Sequence, residues 1–226
     1  MFWQIRALIN YYIGKLPVRL VVFEPNEAAK EILEKEMTTK GIHLTPARAM
    51  LLYALAWYER RGEMASLFAA NKLAYFLQES GEPLKLKFIP YTYGPYAQVV
   101  DKVLYALNGK YITGLEQMGA KALEPLEIKY ENFGEVEAFI KNKLTQVHRD
   151  RLVSVFQFIE GFESTLSLEV LSSIHFLRAK NKSLTRKELL AKIQSWSDWQ
   201  KSLIKEEYID IALKHLDNFA GRMSLA

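Results

Sequence analysis

The sequence predicts a mainly α-helical (α+β) fold, a helical domain with a small antiparallel β-ribbon, and three observations predict it. Apolar residues recur at helical spacing through most of the chain, as in Val136, Phe139, Ile140 and Leu144 and again in Leu152, Val155, Phe156 and Ile159. One stretch alternates instead: Leu84, Leu86 and Phe88 are separated by Lys85 and Lys87, the period of a half-buried strand. Glycines punctuate the helical runs at Gly81, Gly109, Gly134 and Gly161, where a helix end or turn accepts a residue without a Cβ.

In order along the chain, Phe2 to Tyr12 reads as a helix and the β-branched run Val18 to Phe23 as a buried strand. A single helix–strand pair has no neighbour to bond with, so residues 1–25 read as the end of another unit. Asn26 caps a charged linker helix in 26–41. Residues 42–130 form a core with the ribbon, and 131–226 are the helical remainder of the same domain. Thr45-Pro46 opens a helix from Ala47 to Tyr58 that is apolar nearly all round, which places it in the middle of a core. A helix carrying Leu73, Phe76 and Leu77 stops at Gly81, and the alternating strand follows. Tyr91-Thr92-Tyr93-Gly94-Pro95-Tyr96 forces a bend. Behind it, Tyr96, Val99, Val100, Val103, Leu104 and Leu107 lie on one helical face. Tyr111 to Thr113 is expected to pair with Leu84 to Phe88, and Leu123 to Tyr130 to add a short strand. Thr185-Arg186-Lys187-Glu188 is a capping box, and Tyr208, Ile209, Ala212, Leu213, Leu216 and Phe219 make a last helix.

The 226-residue chain is half apolar and a quarter charged, which is a globular composition with material for a sizeable core. It has no cysteine, which removes disulfides and cysteine-ligated metal centres. His43, His148, His175 and His215 are scattered without ligand spacing, so neither a metal nor a cofactor is expected. No run is long and apolar enough to span a membrane, and Gln4, Arg6 and Asn10 interrupt the only leader-like start. The chain therefore reads as cytoplasmic, with no membrane partner. It shows no Walker loop, Rossmann fingerprint, nucleophile elbow or zinc-protease pattern, and reads as a binding protein rather than an enzyme, without a small-molecule substrate.

Net charge is +4, but from Lys121 to Val170 six basic residues face nine acidic, a net of −3, whereas Leu171 to Ala226 has ten basic against six acidic, a net of +4. Three candidate surfaces follow. Tyr91, Tyr93 and Tyr96 cluster at the bend, as a contact surface or as a packed corner. Glu124, Glu127, Glu131 and Glu135 offer negative charge to a basic groove of a partner, imitating a phosphate backbone if they share a face. Lys180, Lys182, Arg186 and Lys187, followed by Trp196 and Trp199, suggest the alternative of a DNA-binding or autoregulatory module.

The pattern Lys72-Leu73-Ala74-Tyr75-Phe76-Leu77, Gly81-Glu82-Pro83-Leu84, Phe88 and Tyr93-Gly94-Pro95-Tyr96 resembles the SocA/Panacea-type antitoxin fold. More closely, it is similar to the C-terminal domain of the DarG antitoxins. Trp3 through Leu16-Pro17 to Pro25 is similar to the last helix and strand of a macrodomain, which precedes that domain in the family. The resemblance implies a domain that binds a DarT-like ADP-ribosyltransferase toxin and blocks its DNA-binding surface. It also implies that ADP-ribosyl glycohydrolase activity would reside in the macrodomain, whose glycine-rich loops are not found in this sequence. A SocA-like adaptor role stays open.

Overall fold

The computed structural model describes residues 42–115 and 120–219; the readings made on residues 1–41, the macrodomain-like remnant and the linker helix, lie outside the described residues. Two helices are buried on every side and organise the rest. Helix α1 (Pro46–Glu59) starts as its sequence requires, with the Thr45 side chain accepting from Arg48 N and proline in the first turn. It leads to the first of the two, α2 (Leu67–Glu79), capped by Ser66, in which every residue from Leu67 to Leu77 is buried. Gly81 follows at φ +95°, the left-handed conformation that closes a helix.

Residues 84–88 are not a strand. Leu84, Leu86 and Phe88 are half-buried and Lys85 and Lys87 exposed, so the alternation describes burial correctly. The backbone nevertheless leaves extended geometry at Lys85 (φ 56°), and Leu86 finds a side chain in place of a partner strand: Gln78 Oε1 accepts from Leu86 N at 2.7 Å and Gln78 Nε2 donates to Leu86 O at 3.1 Å. The ribbon forms one step later. Strands β1 (Ile89–Tyr91) and β2 (Gly94–Tyr96) pair antiparallel in the register Ile89↔Tyr96, Pro90↔Pro95, Tyr91↔Gly94, so the expected tyrosine bend is a hairpin.

Helix α3 (Gln98–Leu107) buries Val100, Leu104 and Leu107, whereas Val99, expected on the same face, points to solvent. Strand β3 (Ile112–Thr113) pairs not with residues 84–88 but with β4 (Glu127–Ile128), which is the short strand expected within 123–130. Phe68 N donates to Ala122 O and Leu126 N to Ala65 O, fastening this second ribbon to the start of α2.

The remainder is helical: a 3-10 turn (Tyr130–Asn132), α4 (Phe133–Lys143), α5 (Gln146–Ile159), α6 (Thr165–Lys180), α7 (Arg186–Gln194), α8 (Asp198–Leu203) and α9 (Glu206–Phe219). The second central helix is α6, buried from Leu168 to Leu177 and packed on α2, β2, α7 and α9. The capping box of α7 is complete: Thr185 Oγ1 accepts from Glu188 N and Glu188 Oε2 accepts from Thr185 N. Thr185→Ala should cost about 1 kcal/mol of stability, read as a lower urea midpoint with an unchanged slope. No helix among the described residues is long and apolar enough to cross a membrane.

Candidate partner-binding site

The hairpin is held from below by α2 and α6. Lys72, in the middle of α2, is 2% exposed and donates from Nζ to Pro95 O at 2.8 Å, with its ammonium 5.1 Å from the Phe68 ring centre. Gly94 is buried at φ +94°, with Ser173 of α6 directly beneath it. Ser197, the cap of α8, donates to Thr92 O at 2.8 Å. Both cross-strand partners at Pro90 and Pro95 lack an N–H, so at this position neither edge of the hairpin supplies the donor that an added strand would need. The hairpin presents side chains rather than backbone.

Those side chains and α2 enclose a cavity of about 420 Å³ lined by Phe68, Asn71, Lys72, Tyr91, Tyr93 and Tyr96, among others. The structure thus brings all three predicted tyrosines to one site. Tyr91 stacks on Tyr96 with ring centres 4.9 Å apart, and Tyr93 is held edge-on between Phe68 at 6.3 Å and Trp199 at 5.5 Å. Tyr96 donates to Asp101 Oδ2 at 2.7 Å; Asn71 Nδ2 donates to Asp101 Oδ1 at 2.9 Å, and Asn71 Oδ1 accepts from Ala97 N at 2.9 Å. Burial, helped by the bond to Asp101, pushes the Tyr96 hydroxyl well above its ordinary range, so it stays a donor.

Behind the hairpin is a buried polar cluster. Glu169 accepts from Trp199 Nε1 at 3.2 Å through Oε2, while its Oε1, Ser173 Oγ and the Gln200 amide make no hydrogen bond. Burial draws the Lys72 ammonium down to about 7, against the pull of Glu169. Burial pushes the Glu169 carboxyl up, opposed by the hydrogen bond from Trp199 and the charge of Lys72. Lys72, Asn71, Asp101 and Glu169 were absent from the sequence candidates. The signal for Lys72 and Asn71 was a lysine and an asparagine in the midst of an apolar helical run, and Asp101 and Glu169 had none.

The acidic candidates do not share a helical face. Glu124 accepts from Lys121 N at 2.8 Å in a turn, Glu127 is on β4, Glu131 is in the 3-10 turn 3.9 Å from Lys129, and Glu135 is on α4. Glu135 takes Lys110 Nζ at 2.8 Å and the Tyr111 hydroxyl at 2.7 Å, which hold its carboxyl below the usual range. Of the basic candidates, Lys180 lies 3.9 Å above the Phe176 ring, and Arg186 binds Asp210 at 2.8 Å and Glu206 at 3.7 Å; Lys182 and Lys187 are exposed. Trp196 packs edge-on against Phe176 and Trp199 against Tyr93.

No family model matches the chain. It is 31% identical over 199 residues, 88% of its length, to a Thermus aquaticus protein named DNA ADP-ribosyl glycohydrolase. Proteins of the same name from Mycobacterium tuberculosis and Mycobacterium bovis are 26% identical over 93% of the chain. The chain spans 54% of the first of these relatives and 62% of the other two. The expectation of a protein outside the enzymes is thereby overturned: relatives matched over nine-tenths of this chain carry an enzyme's name, which a search for local catalytic motifs did not detect. Over most of its own length, the chain is similar to proteins named DNA ADP-ribosyl glycohydrolase.

Proposed function

We infer that the described residues form the partner-binding domain of a DNA ADP-ribosyl glycohydrolase of the DarG antitoxin kind, and that the partner is a DarT-like DNA ADP-ribosyltransferase whose DNA-binding surface the domain covers. The observation that carries this reading is the hairpin site: three tyrosines around a concavity, on a strand pair seated by buried contacts from α2, α6 and α8. Rigid aromatic rings at a preorganised concavity are what protein interfaces use as anchors, because little side-chain entropy is lost on docking. The relatives' name supplies the DNA ADP-ribosylation setting.

The test is to mix the chain with a DarT-like transferase, its NAD and a single-stranded DNA substrate. Complex formation is read by size-exclusion chromatography and DNA modification by gel shift. A stoichiometric complex, with inhibition that saturates at equimolar chain, is the expected result. Pre-modified DNA incubated with the chain alone measures hydrolysis separately, so that blocking and removal of the mark are told apart. Absence of both complex and inhibition would refute the docking reading.

A further inference from the structure

The hairpin cavity is equipped to take a charge as well as rings. An ammonium has three donors, and Lys72 spends one, on Pro95 O. Asp101, the acid that lines the cavity, has both oxygens occupied, by Tyr96 and Asn71. Glu169 is not among the lining residues, and burial weakens its charged form. Lys121 adds a second, exposed ammonium at the lining. Two amines, Lys72 and Lys121, therefore face the single carboxylate of Asp101 among the rings of Phe68, Tyr91, Tyr93 and Tyr96, and an added carboxylate beside Lys72 Nζ would favour its charged form against the burial that lowers it.

Beside this cavity the hairpin carries an exposed apolar edge. Ile89 and Tyr91 are alternate residues of β1 and so point to one face, and Ile89 is paired with Tyr96, which puts Tyr96 on that face too. Ile89 is 46% exposed and Tyr91 54%. Exposed apolar residues next to a concavity are what a docked protein covers, and a charge contact inside gains strength when such neighbours keep water from it.

Resting on the docking reading above, we propose that this cavity is the socket for one acidic side chain of the partner protein, an aspartate or glutamate whose carboxylate accepts from Lys72 Nζ while adjacent partner residues cover Ile89 and Tyr91. Carboxylate and ammonium then meet away from water, where a charge-assisted hydrogen bond is shorter and stronger than a neutral one. Tyr91, Tyr93 and Tyr96 flank the inserted stem.

Phenylacetate and its uncharged counterpart phenylacetamide probe the socket without the partner. Titrated into the full chain and followed by amide NMR, phenylacetate should shift the resonances of residues 71–72 and 91–96 and bind about tenfold tighter than the amide. Lys72→Met should erase that preference. Should Lys72→Met fail to fold, Ala122→Phe fills the lining from a half-buried position and leaves the cluster behind the hairpin untouched; it should abolish binding of both probes. Equal affinity for acid and amide, no binding of the acid, or binding unaffected by Ala122→Phe would overturn the proposal. With the transferase, Ala122→Phe should weaken the complex about tenfold or more. A complex indifferent to Ala122→Phe would refute the socket and leave docking standing. Phenylacetate binding with no transferase complex would refute docking, and with it the partner as the source of the carboxylate.

Discussion

Gly94→Ala should lower the stability of the chain by about 3 kcal/mol and displace the tyrosine hairpin, because two separate costs meet at one position. The residue sits at φ +94°, where a side chain is strained whatever the space around it. A Cβ there would also lie 2.6 Å from Ser173 Oγ and 3.4 Å from Lys72 Nζ. Ser173 belongs to a helix buried on all sides, and Lys72 is tied to Pro95 O. The control is Gly62→Ala, at φ +90° with nothing within 4 Å, which carries the backbone strain alone at about 1 kcal/mol. Urea unfolding of both variants separates strain from collision. Adding Ser173→Ala to Gly94→Ala should return part of the difference. Equal losses at Gly62 and Gly94 would show that the hairpin is not seated on Ser173 as described.

The second large effect is on the acid side of the stability curve. His175 is enclosed by the rings of Tyr75, Phe76 and Phe158, and its Nδ1 is 2.6 Å from the Tyr75 hydroxyl. Burial holds its pKa at about 4, against 6.5 for an unburied histidine. Between those values the unfolded chain binds a proton that the folded chain refuses, so stability must fall as pH drops from 6.5 to 4. The total at this one residue is about 3 kcal/mol. A neutral imidazole accepts from Tyr75, whose own hydroxyl burial keeps protonated. Glutamine preserves an acceptor there and cannot gain a proton. The urea midpoint of His175→Gln should therefore depend less on pH than that of wild type across this window. Comparing the two chains cancels Glu79 and Glu169, whose raised carboxyls act in the opposite direction. Parallel curves would mean that His175 is protonated, or hydrated, in the folded protein.

Helical periodicity and capping chemistry were legible because they are local. Thr45-Pro46, Gly81 and the Thr185–Glu188 box do in the structure what their types require of neighbouring backbone. Strand pairing was misread because it is not local. The Leu84–Phe88 alternation reports which residues face the core, and nothing in it shows that Gln78 would satisfy Leu86 in place of another strand. β3 found β4 only because the segment after Ala120 is pinned to α2 by Phe68 and Leu126. The tyrosines were visible as a composition anomaly, whereas the lysine beneath them was hidden among helix residues. Its role comes from Pro95, 23 positions away, and Glu169, further still. The four glutamates read as a group because they are close in sequence, yet they fall on a turn, a strand, a 3-10 turn and a helix.

The contacts that seat the hairpin also set an order in time. Thr92 waits for Ser197, 105 residues later, and Gly94 rests on Ser173, while Tyr75 finds His175 across 100 residues. Contacts so distant along the chain close late, since loop entropy must be met before they form. On a ribosome, α2 and the tyrosine strands would emerge well before α6 and α8 exist to hold them. The tyrosine hairpin is therefore among the last parts of this domain to mature, and a nascent chain halted before Ser197 would carry the tyrosines without the contacts that arrange them around one concavity.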